Sequence, residues 1–166
     1  MFVNKEYLNF INKSKKNTLD IVGISVVDTF GSTYAKSGNM LLINSNLEYV
    51  GVLGSPWLQE KMFHLAQKAL STKETIFFQN TPKEKNSGHG LSKYLVQAFF
   101  YTDKYGALGS SMENYGKTLV RSIVNNGFEI VNKVYETKLE DDKFYQTIQS
   151  PYSLLIFGTG DHVSSL

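Results

Sequence analysis

The residues best equipped for chemistry in this chain are the small ones that interrupt an apolar run. Val26-Val27 passes into Asp28-Thr29-Phe30-Gly31-Ser32-Thr33, and Lys36-Ser37-Gly38 follows closely. A strand that stops at such a turn presents backbone N–H groups at its tip. Set beside the hydroxyls of Ser32, Thr33 and Ser37, with the Lys36 ammonium in reach, these N–H groups can hold an anion such as a phosphate. The same composition also builds an ordinary surface loop. Gly116-Lys117-Thr118 offers a second phosphate-binding pattern. A phosphate loop, however, needs a glycine five residues before Gly116, where Ser111 stands, and needs Gly-Lys-Thr to open a helix. The apolar period predicts instead that these residues lie inside a helix whose N–H groups are already paired, so ATP hydrolysis is not expected.

Other chemistry-bearing residues stand alone. His89 lies between Gly88 and Gly90 with nothing nearby in sequence to orient it as a base. His64 has no second ligand at helical spacing, and the acids Glu140, Asp141 and Asp142 read as an exposed turn rather than a cation site. No nucleophile elbow, zinc signature or paired catalytic spacing is present, so neither an enzyme nor a metal centre is expected. An enzyme using His89 with an acid ranks last among the functional readings.

The elements that must position the Asp28 to Gly38 segment follow from hydrophobic period and capping. Tyr7, Phe10 and Ile11, with Val3, recur at helical spacing, and Lys13, Lys15 and Lys16 suit the C-terminal end of that helix. From Leu19 to Val27 both alternating sets are apolar, with Ile21, Ser25 and Val27 on one side and Val22, Ile24 and Val26 on the other. Such a strand is covered on both faces and belongs near the centre of a sheet. Strands are expected over Met40–Ile43 and Glu48–Leu53, joined by Asn44-Ser45-Asn46. Ser55 and Pro56 mark a helix start, with Leu58, Met62, Leu65, Ala66 and Ala69 on its buried face. Further strands are expected over Thr75–Gln79, Tyr94–Thr102 and Phe128–Thr137. Between the last two, a helix is expected from about Met112 to Asn125, capped by Ser110 with Glu113 and closed at Gly127. Inside it Gly116 would let a neighbouring strand approach. The sum is an α/β fold, a mixed sheet of about six strands with about three packed helices.

Composition narrows the function. A chain of 166 residues with 42% hydrophobic content suits one compact domain with a short tail, and is too short for a full dinucleotide-binding domain besides. The net charge of +2 is spread without a basic stripe, which argues against nucleic acid. There is no cysteine, hence neither disulfide nor thiolate site, and no apolar run long enough for a signal peptide or membrane span; a cytoplasmic protein is expected.

The pattern V-V-D-T-x-G-S-T-Y-x-K-S-G-x-M-L, carried by Val26, Val27, Asp28, Thr29, Gly31, Ser32, Thr33, Tyr34, Lys36, Ser37, Gly38, Met40 and Leu41, resembles the opening motif of the XdhC/CoxI family. Members of that family are accessory proteins of molybdenum hydroxylases such as xanthine dehydrogenase. The resemblance implies binding, protection and insertion of the molybdenum cofactor (molybdopterin), with Asp28, Gly31, Ser32, Thr33, Lys36, Ser37 and Gly38 as cofactor-binding residues. It also implies two parts: an N-terminal α/β domain over residues 1–150, and over 151–166 the strand and G-x-G turn that start a Rossmann domain, seen here as Ser153 to Gly160. Only His162 to Leu166 follow that turn, so NAD or FAD is not expected there. The family's S-G-G-C-L-E segment corresponds to Gly54-Ser55-Pro56-Trp57-Leu58-Gln59, with Trp57 where the thiol would be. A second glycine-cysteine motif would fall near Ser87 to Gly90, again without cysteine. A molybdenum hydroxylase is the implied partner, and a homodimer follows from the resemblance and the tail strand. The alternative is a degenerate relative that keeps the fold as a protein-interaction module, with Trp57 as its surface anchor.

Overall fold

The structure is a computed structural model that describes residues 5–81 and 90–149. Helix α1 (Lys5–Lys16) leads into strand β1 (Ile21–Phe30), followed by β2 (Met40–Asn44), β3 (Tyr49–Val50), helix α2 (Pro56–Thr72), β4 (Ile76–Asn80) and β5 (Leu91–Phe99). A 3-10 turn at Tyr101–Asp103 and the short helix α3 (Gly106–Ser111) connect these to β6 (Thr118–Ser122), β7 (Phe128–Val131), β8 (Lys138–Glu140) and β9 (Lys143–Thr147). The α/β class and three α-helices match the expectation, but the strands divide between two antiparallel sheets rather than sharing one. The first has the order β3-β2-β1-β5-β4 and the second β7-β6-β9-β8.

Strand β1 sits at the centre of the first sheet because both of its faces are apolar. Val22, Ile24 and Val26 pack with Leu41, Ile43 and Leu53 beneath Leu58, Met62, Ala66 and Ala69 of α2. Full burial of each large side chain on that helix stabilises the docking by roughly 1.5–3 kcal/mol. On the opposite face, Ile21, Met40, Leu42 and Phe99 meet Ile11 of α1, Leu108 of α3 and Leu119 of β6. Beyond a bulge in the β1–β5 register at Val27, that residue packs with Leu95, Ile123 and Phe144. The second sheet is therefore seated on the first.

The largest departure from the sequence reading lies between Met112 and Asn125. The expected helix is absent, and Ser110 and Glu113 fall at the end of α3 instead of opening a new helix. Gly116 adopts a left-handed φ of 80°, which takes the chain out of the helical turns. A Cβ there would meet nothing within 4 Å, so the glycine serves this conformation and not a close strand approach. Thr118–Ser122 then forms a strand buried on both faces, and Asn125-Asn126-Gly127 turns it into β7. Met112, Tyr115, Leu119 and Ile123 mimic a helical stripe because a doubly buried strand has no polar alternation to betray it. The phosphate-loop reading of Gly116-Lys117-Thr118 still fails, for another reason: the segment opens a strand, and the Gly116 N–H donates to the Ile148 carbonyl. The strand expected to run to Thr137 stops at Val131, and Tyr49–Val50 is shorter than expected. His89 and Ser153 to Gly160 lie outside the described residues.

Candidate functional site

Strand β1 carries the Gly-Ser-Thr segment to one end of the first sheet. After the bulge, Asp28 pairs across the strands with Lys93 and Phe30 with Leu91. Asp28 is thus part of the strand rather than of the turn, and its Oδ2 lies 2.7 Å from Lys93 Nζ. The tip beyond it is closed by Gly90. A Cβ at that position would stand 2.2 Å from the Phe30 carbonyl and 2.8 Å from the backbone of Gly31 and Ser32, so only glycine fits. The Gly90 N–H donates to the Ser32 carbonyl.

The segment returns to β2 through a tightly bonded turn. Thr33 Oγ1 donates to the Ala35 carbonyl at 3.0 Å, and Ala35 is buried in the core under α2. The Lys36 N–H donates to Asn39 Oδ1 at 2.8 Å, and Ser37 Oγ to the Val27 carbonyl at 3.0 Å. The Gly38 N–H donates to the Val26 carbonyl at 2.8 Å, and the Gly38 carbonyl accepts from Gln146 Nε2 of β9 at 2.9 Å. Hydroxyl protons of Thr33 and Ser37, and the N–H groups of Lys36 and Gly38, are therefore directed inward. What faces outward is the Ser32 hydroxyl and the Lys36 ammonium, neither with a hydrogen-bond or ion-pair partner among the described residues. On the same loop, Phe30 and Tyr34 are 80% and 76% exposed.

Of the residues singled out in sequence, Gly31, Ser32, Thr33 and Lys36 form the exposed loop, Ser37 and Gly38 its inward return, and Asp28 the strand before it. Trp57 lies apart in sequence, in the first turn of α2, 58% exposed with Lys61 Nζ 5.8 Å from its ring. Neither amide atom of the neighbouring Gln59 has a hydrogen-bond partner among the described residues. The two exposed aromatics escaped notice as site residues, although large rings amid small turn residues are a readable signal. Gln146 could not be found by spacing, since it lies 108 positions from Gly38.

Behind the loop, Arg121 of β6 is 1% exposed. Its Nη2 donates to Ser25 Oγ at 2.8 Å and to Gln146 Oε1 at 3.2 Å, and burial holds its pKa down to about 10, so the side chain is charged at neutral pH. Two clefts, of about 250 and 940 Å³, open elsewhere, around the turn from Phe99 to Gly106 and Phe128. Phe99 pairs with Ile21, so this turn lies at the far end of β1 from the loop. Among the described residues no three of His, Cys, Asp and Glu gather as a metal site, and no helix is long and apolar enough to cross a membrane. His64 is exposed on α2, and Asp141-Asp142 forms the left-handed turn between β8 and β9.

Fold and loop together define an α/β scaffold of two stacked antiparallel sheets that displays a Gly-Ser-Thr-x-x-Lys turn. Residues 18–79, which contain the whole of that loop, match the model of the XdhC and CoxI family. Among solved structures, a xanthine dehydrogenase from Bacillus halodurans is similar in fold, with a TM-score of 0.63 at 14% identity over 86% of this chain. The likeness covers 52% of that protein, so the chain spans about half its length. A comparison with curated proteins finds no match.

Proposed function

We propose that this protein is a non-catalytic accessory factor that holds the molybdenum cofactor on the residue 30–38 loop in the cytoplasm and presents it to a molybdenum hydroxylase. The observation that carries this reading is the exposed set on a loop pinned by both sheets: Ser32 and Lys36, with the exposed rings of Phe30 and Tyr34 on the same loop. The cofactor combines a planar pterin with a terminal phosphate. Lys36 and Ser32 suit the phosphate through a charge-assisted contact and a hydroxyl donor. The faces of Phe30 and Tyr34 suit the pterin by stacking. The chain has no cysteine, so it offers no thiolate to the metal end. The residues present therefore fit the phosphate and pterin, and leave the metal to ligands that the cofactor itself or the receiving enzyme supplies.

The division of labour in the loop follows from its bonds. Thr33, Ser37 and Gly38 shape the turn, because their donors are engaged with carbonyls. Asp28 is neutralised by Lys93 and so adds little repulsion toward an anion. Binding of the cofactor, followed by pterin fluorescence, should weaken about 10- to 100-fold in the double variant Ser32→Ala, Lys36→Ala, given ~1.5–3 kcal/mol for a hydrogen bond to a charged group. The melting temperature should stay unchanged, since both side chains are exposed. Equal binding in variant and parent would remove the loop as the site. No binding in either would favour the second reading, an interaction module anchored at exposed Trp57, in which Trp57→Ser would abolish partner capture.

A further inference from the structure

Arg121 is a buried cation with no carboxylate partner among the described residues. Besides Ser25 and Gln146 it reaches Gln97, whose Oε1 accepts from Nη1 at 3.5 Å, and its guanidinium lies 5.3 Å from the Phe144 ring centre. Its Nε has no hydrogen-bond partner among the described residues. A residue of similar volume without charge would fill this space at lower desolvation cost. Packing alone therefore does not account for an arginine here.

The account lies in the direction of its bonds. All five N–H groups of a guanidinium are donors, so a glutamine beside it must turn its oxygen inward and its amide nitrogen away. Gln146 and Gln97 both do so. Gln146 Nε2 then donates to the Gly38 carbonyl at 2.9 Å, while Gln97 Nε2 donates to the carbonyls of Ser122 and Asn125 at 3.2 and 3.1 Å. One cation thus aims two amide donors at two separate turns, and an apolar residue at 121 could aim neither.

We propose that Arg121 and Gln146 are positioning residues for the loop: the guanidinium sets the Gln146 amide, and the amide holds the Gly38 carbonyl so that Ser32 and Lys36 are displayed in one arrangement. The link to ligand binding rests on the cofactor reading of this loop; the link to loop order does not. Gly38 is a suitable point to hold. Its φ of 94° is left-handed, its N–H is bonded to Val26, and its carbonyl would otherwise face solvent or an unmatched partner.

The test uses the full chain with Gln146→Glu, Gln146→Met and Gln97→Glu. A glutamate at 146 keeps an acceptor for Arg121 but loses the donor to Gly38, so the fold is retained while the clamp is lost. Methionine, of similar length and uncharged, removes the donor to Gly38 as well, at the cost of the Arg121 acceptor, and serves should the glutamate fail to fold. Amide hydrogen exchange at Gly38 and Asn39 should quicken about tenfold in both Gln146 variants, the loss of one buried hydrogen bond. Gln97→Glu should instead loosen the Ser122–Gly127 turn and leave Gly38 and Asn39 as they were. Molybdenum cofactor affinity, read by pterin fluorescence, should fall about tenfold in the Gln146 variants and stay level in Gln97→Glu. Unchanged exchange at Gly38 and Asn39, or an equal rise across the whole second sheet, would overturn the positioning role. Quickened exchange with unchanged affinity would keep the clamp and overturn the cofactor site.

Discussion

Lys36 and Arg121 carry the same charge in opposite surroundings, and the contrast sets what each can do. Lys36 stands in solvent on the loop, open to any charge that approaches; Arg121 is enclosed by neutral oxygens and directs two glutamines. Burial also acts on Tyr7, whose hydroxyl donates to the Met40 carbonyl at 2.6 Å. Desolvation, helped by the nearby Glu6 charge, raises its pKa above the ordinary value near 10. The folded state therefore keeps a proton that the unfolded chain releases, so this contribution is intact below pH 10 and is lost as pH rises through the raised folded value. Tyr7→Phe should cost about 1 kcal/mol at neutral pH, for the lost hydrogen bond. Thermal melts from pH 7 to 11 should show that gap narrowing above pH 10; a constant gap would mean that Tyr7 ionises as freely in the fold as outside it. At this scale the turn after β1 was legible, because Gly, Ser, Thr and Lys announce a turn by type. The bond that fastens it to β9 was not, because nothing in a local window links Gly38 to Gln146.

Among the elements, α2 was the most legible, since its start and its buried face are both written locally. Ser55 takes the extended N-cap conformation and accepts from the Leu58 N–H at 3.4 Å, with Pro56 at the first helical position. Ser55→Ala should lower stability by about 0.5–1 kcal/mol, the lower part of the range for a cap because this bond is long. Urea unfolding of the variant checks it, and no change would mean that the cap bond is not formed in solution. Strand β1 was equally readable from its two apolar faces. Strand β6 was not, for the same physical reason turned around. Burial of Thr118, Leu119, Val120 and Arg121 removes the polar alternation that distinguishes a strand, while Met112, Leu119 and Ile123 fall by chance at helical spacing. The presence of Arg121 among buried residues makes the misreading worse, as a charged side chain argues for an exposed helix face.

For the molecule as a whole, the decisive contact is the seating of the second sheet on the first, which a single mixed sheet would not have required. Phe144 of β9 is fully buried against Val27, Leu95 and Ile123, and it lies under the Arg121 guanidinium. Phe144→Ala should therefore cost about 3–5 kcal/mol, as for other large-to-small core changes. Denaturant melts measure the cost, and the Gly38 and Asn39 amides should lose protection along with it. A loss of stability confined to the second sheet, with those amides still protected, would show the sheets to be independent.

The distance along the chain between loop and clamp has a consequence for how the protein comes into being. On the ribosome the Gly-Ser-Thr segment emerges early, and β2 can pair with β1 soon after. Gln146 is made 108 residues later than Gly38. Until β9 has left the exit tunnel and its sheet has docked, the loop lacks its last hydrogen bond, and long-range pairing of this kind forms slowly. The loop therefore reaches its final hydrogen bonding only after β9 has been made and docked, well after its own residues have emerged.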